Sequence, residues 1–235
     1  MPASSLKSAY WTGFRHAAPF LLVVVPFALL FGVVGTEAGL NLTQVMGFSV
    51  LVIAGAAQFT AVQLMAENAP TLIVLVTALA VNLRMAMYSA SLTPYLGAAP
   101  LWKRALIAYF LVDQTYAIGH ARFEARPEMT LPERLAYIFG AITPICPMWY
   151  VMTLVGALAG QGIPPEYALD FAVPITFLAL VAPALRTLAH VAAAGVSVTL
   201  ALVLAGVPYS GGVLIAGLAA MIVGAQVELW MERRT

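Results

Sequence analysis

The chain has 235 residues, of which 62% are hydrophobic and 9% are charged, and its mean hydropathy is +0.94. About a quarter of the residues of an ordinary soluble domain are charged, so this composition excludes a water-soluble globular protein. The formal net charge is +1 and the basic residues are spread along the chain, which excludes a basic nucleic-acid-binding surface. We therefore expect one transmembrane domain over residues 1–235, embedded in a lipid bilayer and joined by short loops.

Apolar runs bounded by polar residues, Gly or Pro predict an all-α integral membrane protein, a polytopic bundle of about eight transmembrane helices. In chain order these runs are Ala17–Gly35, Thr43–Met65, Thr71–Thr93, Ala105–Gly119, Leu135–Leu158, Leu169–Leu185, Thr187–Gly206 and Gly211–Val227. Only Arg186 and its neighbours separate the sixth run from the seventh, so seven helices is the alternative count.

The positions of Lys and Arg predict the orientation of these helices. If the amino terminus is cytoplasmic, an eight-helix chain places most basic residues on the cytoplasmic side and only Lys103 and Arg104 on the other side. Both termini are therefore predicted to be cytoplasmic. The first apolar run lacks a small-residue cleavage site after a short core, so we expect it to be kept rather than removed as a signal peptide.

Two charges fall inside apolar runs, Arg84 in the third and Asp113 in the fourth. Each costs roughly 2.5–3.5 kcal/mol in hydrocarbon, so each requires a partner or a function. Counted at about 1.5 Å per residue, both lie roughly 14 Å from the loop between their helices, which predicts that they pair. The pair is interpreted either as structural or as functional, with Asp113 exchanging a proton and Arg84 attracting a carboxylate.

Each charge heads a stripe of polar residues on one helix face. The spacings i, i+4 and i+7 and i, i+3 and i+7 place the members of each stripe on a common side. The stripes are Arg84, Tyr88 and Ser91 on the third helix, and Asp113, Tyr116 and His120 on the fourth. We expect these side chains to contribute to a substrate site.

Two amides are further candidates for substrate contact. Gln58 follows the small residues Gly55, Ala56 and Ala57, which permit close approach of a neighbouring helix backbone. Asn82 precedes Arg84 by two residues and lies on another face. Both could orient a substrate by hydrogen bonding, although packing alone is the alternative interpretation for the small residues around Gln58.

Prolines predict interruptions of three helices. Pro19 and Pro26 fall in the first helix, Pro144 and Pro147 in the fifth, and Pro174 in the sixth. Interrupted helices in transporters expose backbone groups that bind charged parts of a substrate. Simple kinks without substrate contact are the alternative.

A short pattern recurs along the chain and suggests two halves. Pro26, Gly35, Ala38 and Gly39 correspond at a constant offset to Pro147, Gly156, Ala159 and Gly160. With an eight-helix count, the two halves would have parallel rather than inverted orientation.

The sequence predicts neither a cofactor nor a metal site. Cys146 is the only cysteine, so no disulfide can form within the chain. The three histidines do not have the spacing of a metal site, and no phosphate-binding loop occurs.

Several segments together resemble the AzlC family, the large subunits of LIV-E type branched-chain amino acid exporters. The segments are Gly13-Phe14, Gly55-Ala56-Ala57-Gln58-Phe59, Asn82-Leu83-Arg84 with Tyr88, Ser91-Leu92-x-Pro94, Asp113-Gln114-x-Tyr116 and Leu169-Asp170-Phe171-Ala172-x-Pro174. The resemblance implies a permease rather than an enzyme, exporting small neutral amino acids across a prokaryotic inner membrane. It also implies a small hydrophobic AzlD-like partner subunit. Family members often carry a second acid where this chain has Gln114.

Three other classes of protein remain as alternatives. A channel also uses polar stripes, but the sequence has no filter signature. A non-transporting accessory subunit would tolerate loss of Arg84 and Asp113. An intramembrane aspartyl protease would need two paired aspartates, and neither Asp113 nor Asp170 lies in the Gly-x-Gly-Asp setting of such enzymes.

Overall fold

The structure, a computed structural model, describes residues 3–160, 162, 185, 187–207 and 211–233, and its regular elements there are all helices. They are α1 (Ala3–Ala17), a 3-10 turn (Ala18–Phe20), α2 (Leu21–Glu37), α3 (Leu42–Leu51), α4 (Gly55–Ala66), α5 (Thr71–Leu96), α6 (Leu101–Tyr109), α7 (Asp113–Ala125), α8 (Leu131–Gly160), α9 (Leu188–Val203) and α10 (Gly211–Glu232). The predicted helix Leu169–Leu185, with Pro174, lies outside the described residues except for Leu185.

Helices long and apolar enough to cross a membrane confirm the predicted all-α membrane class. Four such helices occur among the described residues: Leu6–Glu37, Thr71–Leu96, Leu131–Gly160 and Gly211–Met231. They correspond to the first, third, fifth and eighth predicted runs, each extended by some residues. The seventh run corresponds to the shorter apolar helix α9.

The chain divides into two compact units. The first comprises residues 1–63 and 78–167, and the second comprises residues 64–77 and 168–235, as far as these are described. In the second unit α9 packs along α10, where Gly224 faces Ala193. The charged pair predicted from the sequence belongs to the first unit.

The core of the first unit is the contact between the continuous Leu6–Glu37 helix and α8. Gly13 faces Tyr137 and Ala141, whereas Gly32 faces Thr153 and Ala157, so the two helices run in parallel. At Gly140 and Gly156 of α8 the helix backbones touch, and an added Cβ would overlap the carbonyl groups of Tyr10 and Leu29. In a bilayer, helix association depends on such close packing because lipid tails are as apolar as the side chains.

The predicted second helix, Thr43–Met65, is wrong, because the chain turns back within it. Residues nine apart in a continuous helix would be separated by roughly 13.5 Å along the axis. Instead the side-chain amide of Gln58 on α4 lies 3.1 Å from Oγ of Ser49 on α3. Val52 has extended backbone and ends α3. α3 and α4 therefore form a re-entrant helical hairpin, which we call hairpin 1.

The predicted fourth helix, Ala105–Gly119, is wrong for the same reason. α6 follows α5 through a tight connection and turns back along it, with Ile107 packed in a cluster with Leu92 and Leu96. After an interruption at 110–112, α7 runs beside α5 in the same direction, because Asp113 contacts Arg84 while Phe123 contacts Tyr95. α6 and α7 form a second re-entrant hairpin, hairpin 2.

Both hairpin tips reach the same apolar core. Ile53 of hairpin 1 and Val112 of hairpin 2 belong to one cluster that surrounds Ile145 and Trp149 of α8. The hydroxyl of Tyr109 donates a hydrogen bond to the carbonyl oxygen of Val50 and lies 3.0 Å from the hydroxyl of Tyr150. The tips are thus joined near the middle of α8.

Because of hairpin 1, Lys103 lies at the opposite end of the first unit from the end that the sequence predicts. A common cavity is lined by Leu6 in the first part of α1, by Pro100 and Lys103 at the start of α6, and by Leu131 at the start of α8. We call this end of the first unit the amino-terminal face. Lys103 and Arg104 were expected on the opposite side from the amino terminus, and this expectation is wrong because hairpin 1 does not cross the unit.

The prolines do not mark the interruptions. Pro26 lies inside α2, and Pro144 and Pro147 lie inside α8, so the helix breaks predicted at these residues are wrong. Pro19 lies in the 3-10 turn that links α1 to α2. Proline removes one backbone donor without ending a membrane helix when neighbouring groups compensate, which explains why the helices continue.

Candidate functional site

The centre of the candidate site is an ion pair between α5 and α7. Nη1 of Arg84 lies 3.0 Å from Oδ2 of Asp113, and these side chains are 33% and 42% exposed. Asp113 is the first residue of α7, where the unpaired backbone N–H groups of the helix favour a negative charge. The predicted pairing of the two charges is therefore observed.

The interruption before Asp113 is held by its own side-chain cap. The backbone N–H of Val112 donates to Oγ1 of Thr115 at 3.0 Å, and the Thr115 hydroxyl donates back to the Val112 carbonyl oxygen at 2.9 Å. Thr115 is fully buried. Because this cap satisfies polar groups inside an apolar environment, the chain can start a new helix at mid-depth.

Aromatic and hydroxyl groups of the two predicted stripes surround the ion pair. The rings of Tyr88 and Tyr116 stack with centroids 4.1 Å apart and an angle of 9° between planes. The Tyr116 hydroxyl lies 3.1 Å from Oγ of Ser91. The structure thus brings together the members of both stripes.

Some polar atoms of the site have no hydrogen-bond partner among the described residues. These buried atoms are Nε of Arg84 and Oδ1 of Asp113, and on another face of α5 Oδ1 of Asn82 is also unpaired. Buried polar atoms are nearly always paired in folded proteins, so both members of the ion pair keep hydrogen-bonding capacity that the described residues do not use.

The polar stripe continues from the ion pair to the amino-terminal face. The ring of His120 lies 5.5 Å from that of Tyr116 and 5.9 Å from that of Tyr95. Nδ1 of His120 lies 3.4 Å from a carboxylate oxygen of Glu124, which is 60% exposed. Hydroxyl, imidazole and carboxyl groups therefore follow one another from Asp113 to the end of hairpin 2.

Gln58 does not join this group. Its side chain is 1% exposed and lies in a buried polar cluster with Ser49, Thr153 and Trp149. Its amide is satisfied when the nitrogen faces the Val52 carbonyl oxygen at 3.1 Å and the oxygen faces the hydroxyl and N–H of Ser49. Gln58 therefore holds the turn of hairpin 1.

The sequence interpretation missed the two interruptions and the tyrosine contact between the hairpin tips. A helix-start signal was present for hairpin 2. Asp113 and Thr115 fall in the middle of an apolar run, and an acid and a threonine there are typical of a helix amino terminus. Among the described residues, no group of three or more His, Cys, Asp or Glu side chains could hold a metal ion.

Comparison with known proteins gives several relatives of similar length. The inner membrane protein YgaZ of Escherichia coli is 26% identical over 178 residues, covering 73% of this chain and 71% of the relative. An uncharacterized membrane protein of Archaeoglobus fulgidus is 27% identical over 190 residues, covering 79% and 80%. Another from Helicobacter pylori is 26% identical over 153 residues, covering 65% of each chain.

No solved structure matches the chain. The model of the AzlC protein family matches residues 19–163, which include both hairpins, the ion pair and α8. Because this match covers more than half of the chain, the protein is a membrane protein of the AzlC family.

Proposed function

We propose that the protein is a secondary transporter that exports small neutral amino acids, branched-chain ones among them, in exchange for protons. The observation that carries this proposal is the Arg84–Asp113 ion pair, which lies at an interrupted helix and has unpaired polar atoms on both partners. Ionisable groups within membrane-spanning proteins are costly and are typical of substrate and ion pathways.

A zwitterion matches the charges of this pair. Its carboxylate can replace Asp113 as the partner of Arg84, and its ammonium group can replace Arg84 as the partner of Asp113. No charge is then left without a partner. A ligand with only one of the two groups leaves a side-chain charge unpaired, which costs about 3–5 kcal/mol when the charge is buried.

Asp113 also suits an exchange of substrate for a proton. When the amino acid leaves, the carboxylate can be neutralised either by Arg84 or by a proton. The stripe of Tyr116, His120 and Glu124 supplies hydrogen-bonding groups between Asp113 and the amino-terminal face. We infer that protons reach Asp113 along this stripe.

The family resemblance supports the remaining parts of the proposal. It implies export as the direction of transport, branched-chain amino acids as substrates, and a small AzlD-like membrane subunit as partner. The name of the Escherichia coli relative supports location in a prokaryotic inner membrane. We propose that both termini are cytoplasmic, since basic residues gather at the amino-terminal face.

The experiment is efflux from proteoliposomes that contain the chain with and without its small partner subunit. Vesicles are loaded with labelled leucine, valine, methionine or alanine, and efflux is followed with and without a proton gradient. We expect gradient-dependent efflux that Asp113→Asn and Arg84→Ala each lower by at least about 10-fold, because loss of one charge leaves the other, which is partly buried, unpaired.

A matched control is the exposed pair of Arg126 and Glu128, whose charged atoms lie 3.9 Å apart. The Arg126→Gln variant should keep normal efflux. No flux of any of the four amino acids would contradict the proposal. Normal flux in both Asp113→Asn and Arg84→Ala would instead favour an accessory role for this chain.

A further inference from the structure

α6, the first arm of hairpin 2, borders an open cavity on each of its two flanks. α6 has one fully buried residue among its members, Ile107. Leu101 and Trp102 at its start are 76% and 61% exposed. A helix this exposed in a membrane protein is covered by lipid along much of its length.

The first cavity lies between α5 and α6 and has a volume of about 270 Å³. Its walls are mostly apolar, with Leu92, Leu96 and Ala108 along its length. Arg104 lies at its end nearest the amino-terminal face. The cavity therefore combines an apolar groove with one basic residue.

The second cavity lies on the other flank of α6 and has a volume of about 420 Å³. It is lined by Leu6, Leu131, Leu135 and Phe139, again apolar, together with Lys103. The two consecutive basic residues of α6 thus face two different apolar grooves at the same end of the unit.

Neither basic residue forms an ion pair with any residue that the structure describes. By contrast, Arg84 and Arg126 both have a carboxylate within 4 Å. Lys103 lies 5.3 Å above the ring of Trp102, and an exposed tryptophan beside basic residues is typical of the membrane interface. Two adjacent cations at the membrane interface therefore complement a negatively charged group of the membrane.

We propose that this region binds one anionic diacyl phospholipid that straddles α6. Its phosphate contacts Lys103 and Arg104, and one acyl chain enters each groove. A neutral lipid or an uncharged apolar helix would leave the two cations without a counter-charge. Because α6 and α7 are the arms of one hairpin, the lipid stabilises the hairpin that carries Asp113.

The experiment measures lipid binding to the purified full chain by native mass spectrometry in detergent. The added lipids are phosphatidylglycerol, its single-chain lyso form, phosphatidylcholine and water-soluble glycerophosphate. We expect one tightly bound phosphatidylglycerol, weaker binding of the lyso form and of phosphatidylcholine, and no binding of glycerophosphate. High salt should weaken the binding, since the contact to phosphate is ionic.

Variants separate the charge contribution from the groove contribution. Lys103→Gln with Arg104→Gln should weaken phosphatidylglycerol binding at least 10-fold, whereas Lys7→Gln with Arg126→Gln removes equal charge and should not. Ala108→Phe and Ala136→Phe fill one groove each and should lower affinity, whereas Ala121→Phe on the exposed side of α7 should leave affinity unchanged.

Three outcomes would overturn the lipid site. The first is equal affinity for phosphatidylglycerol and phosphatidylcholine. The second is unchanged phosphatidylglycerol binding in the Lys103 and Arg104 double variant. The third is loss of a co-purified small membrane subunit, rather than of lipid, when the grooves are filled.

Discussion

Arg84 and Asp113 pair at 3.0 Å across two neighbouring helices that run in the same direction, α5 and α7. Consecutive spans joined by a short loop would be antiparallel. The parallel arrangement arises because the chain reverses twice between the two residues, once before α6 and once at 110–112. The ion pair therefore fastens the inner arm of hairpin 2 to the membrane-spanning helix α5.

Removing either charge of the pair should destabilise the protein, and removing both should cost less than the sum of the two single changes. A buried pair that loses one partner costs about 3–5 kcal/mol, and we expect about 1–3 kcal/mol here because both side chains are partly exposed. The free energies of unfolding of Arg84→Gln, Asp113→Asn and the double variant in detergent form a double-mutant cycle that measures the interaction between the two charges. The double variant should lose less than the sum of the singles, and strict additivity would show that the charges do not interact.

Gln58→Leu should lower stability without changing the apparent substrate affinity of any transport. The substitution keeps the volume but removes the hydrogen bonds of the amide to Ser49 and to the Val52 carbonyl oxygen at the turn of hairpin 1, at about 0.5–1.5 kcal/mol for each bond. The midpoint of thermal unfolding and the KM for efflux are the two measurements. A raised KM with an unchanged midpoint would place Gln58 at the substrate instead.

Gly156→Ala should prevent close packing of α8 on the Leu6–Glu37 helix, since the new methyl group would overlap the Leu29 carbonyl. Overpacking of this kind typically costs about 1–3 kcal/mol. Gly47→Ala in α3 is the matched control, because no atom lies within 4 Å of its added Cβ. The control should be neutral or slightly stabilising in the same unfolding assay.

Lys103 should be reachable from the same side of the membrane as Lys7. We would introduce Lys7→Cys, Lys103→Cys and Thr43→Cys separately into a Cys146→Ser background and label them with an impermeant thiol reagent. Thr43→Cys should react from the side opposite Lys7→Cys because the Leu6–Glu37 helix crosses the membrane. Lys103→Cys should react from the same side as Lys7→Cys because hairpin 1 does not cross. Labelling of Lys103→Cys together with Thr43→Cys would restore the eight-span arrangement.

Tyr109→Phe should loosen the tip of hairpin 2, and the native cysteine reports this. Cys146 is fully buried, with Sγ 3.6 Å from the Phe110 carbonyl oxygen. Loss of a hydrogen bond worth about 0.5–1.5 kcal/mol corresponds to about a 2- to 10-fold rise in the fraction of molecules in which the tip of hairpin 2 is open and Cys146 is accessible. The rate of modification by N-ethylmaleimide should rise accordingly.

The control for this measurement is Tyr10→Phe. It removes a hydrogen bond of 2.9 Å to Thr143, also on α8 but not on a hairpin. Its labelling rate should match that of the unsubstituted protein. An equal rise in both variants would mean that Cys146 reports general loosening of the first unit.

The hairpins were not predictable from periodicity because their interruptions are themselves apolar. Val52-Ile53-Ala54 and Phe110-Leu111-Val112 look like the interior of a continuous helix. Their backbone groups are instead satisfied by distant or capping side chains, Gln58 in one case and Thr115 in the other. The prolines predicted helix interruptions at the wrong positions because membrane helices tolerate proline.

Composition alone determined that this protein is helical and lies in a membrane, since so apolar a chain with so few charges has no other stable environment. The depths counted for Arg84 and Asp113 also predicted their pairing, because the chain rises along α6 up to the interruption at 110–112 and Asp113 follows that interruption directly. Tertiary structure decided which runs cross the membrane, which turn back, and on which face Lys103 lies. These properties depend on contacts between residues far apart in the chain, which local periodicity does not contain.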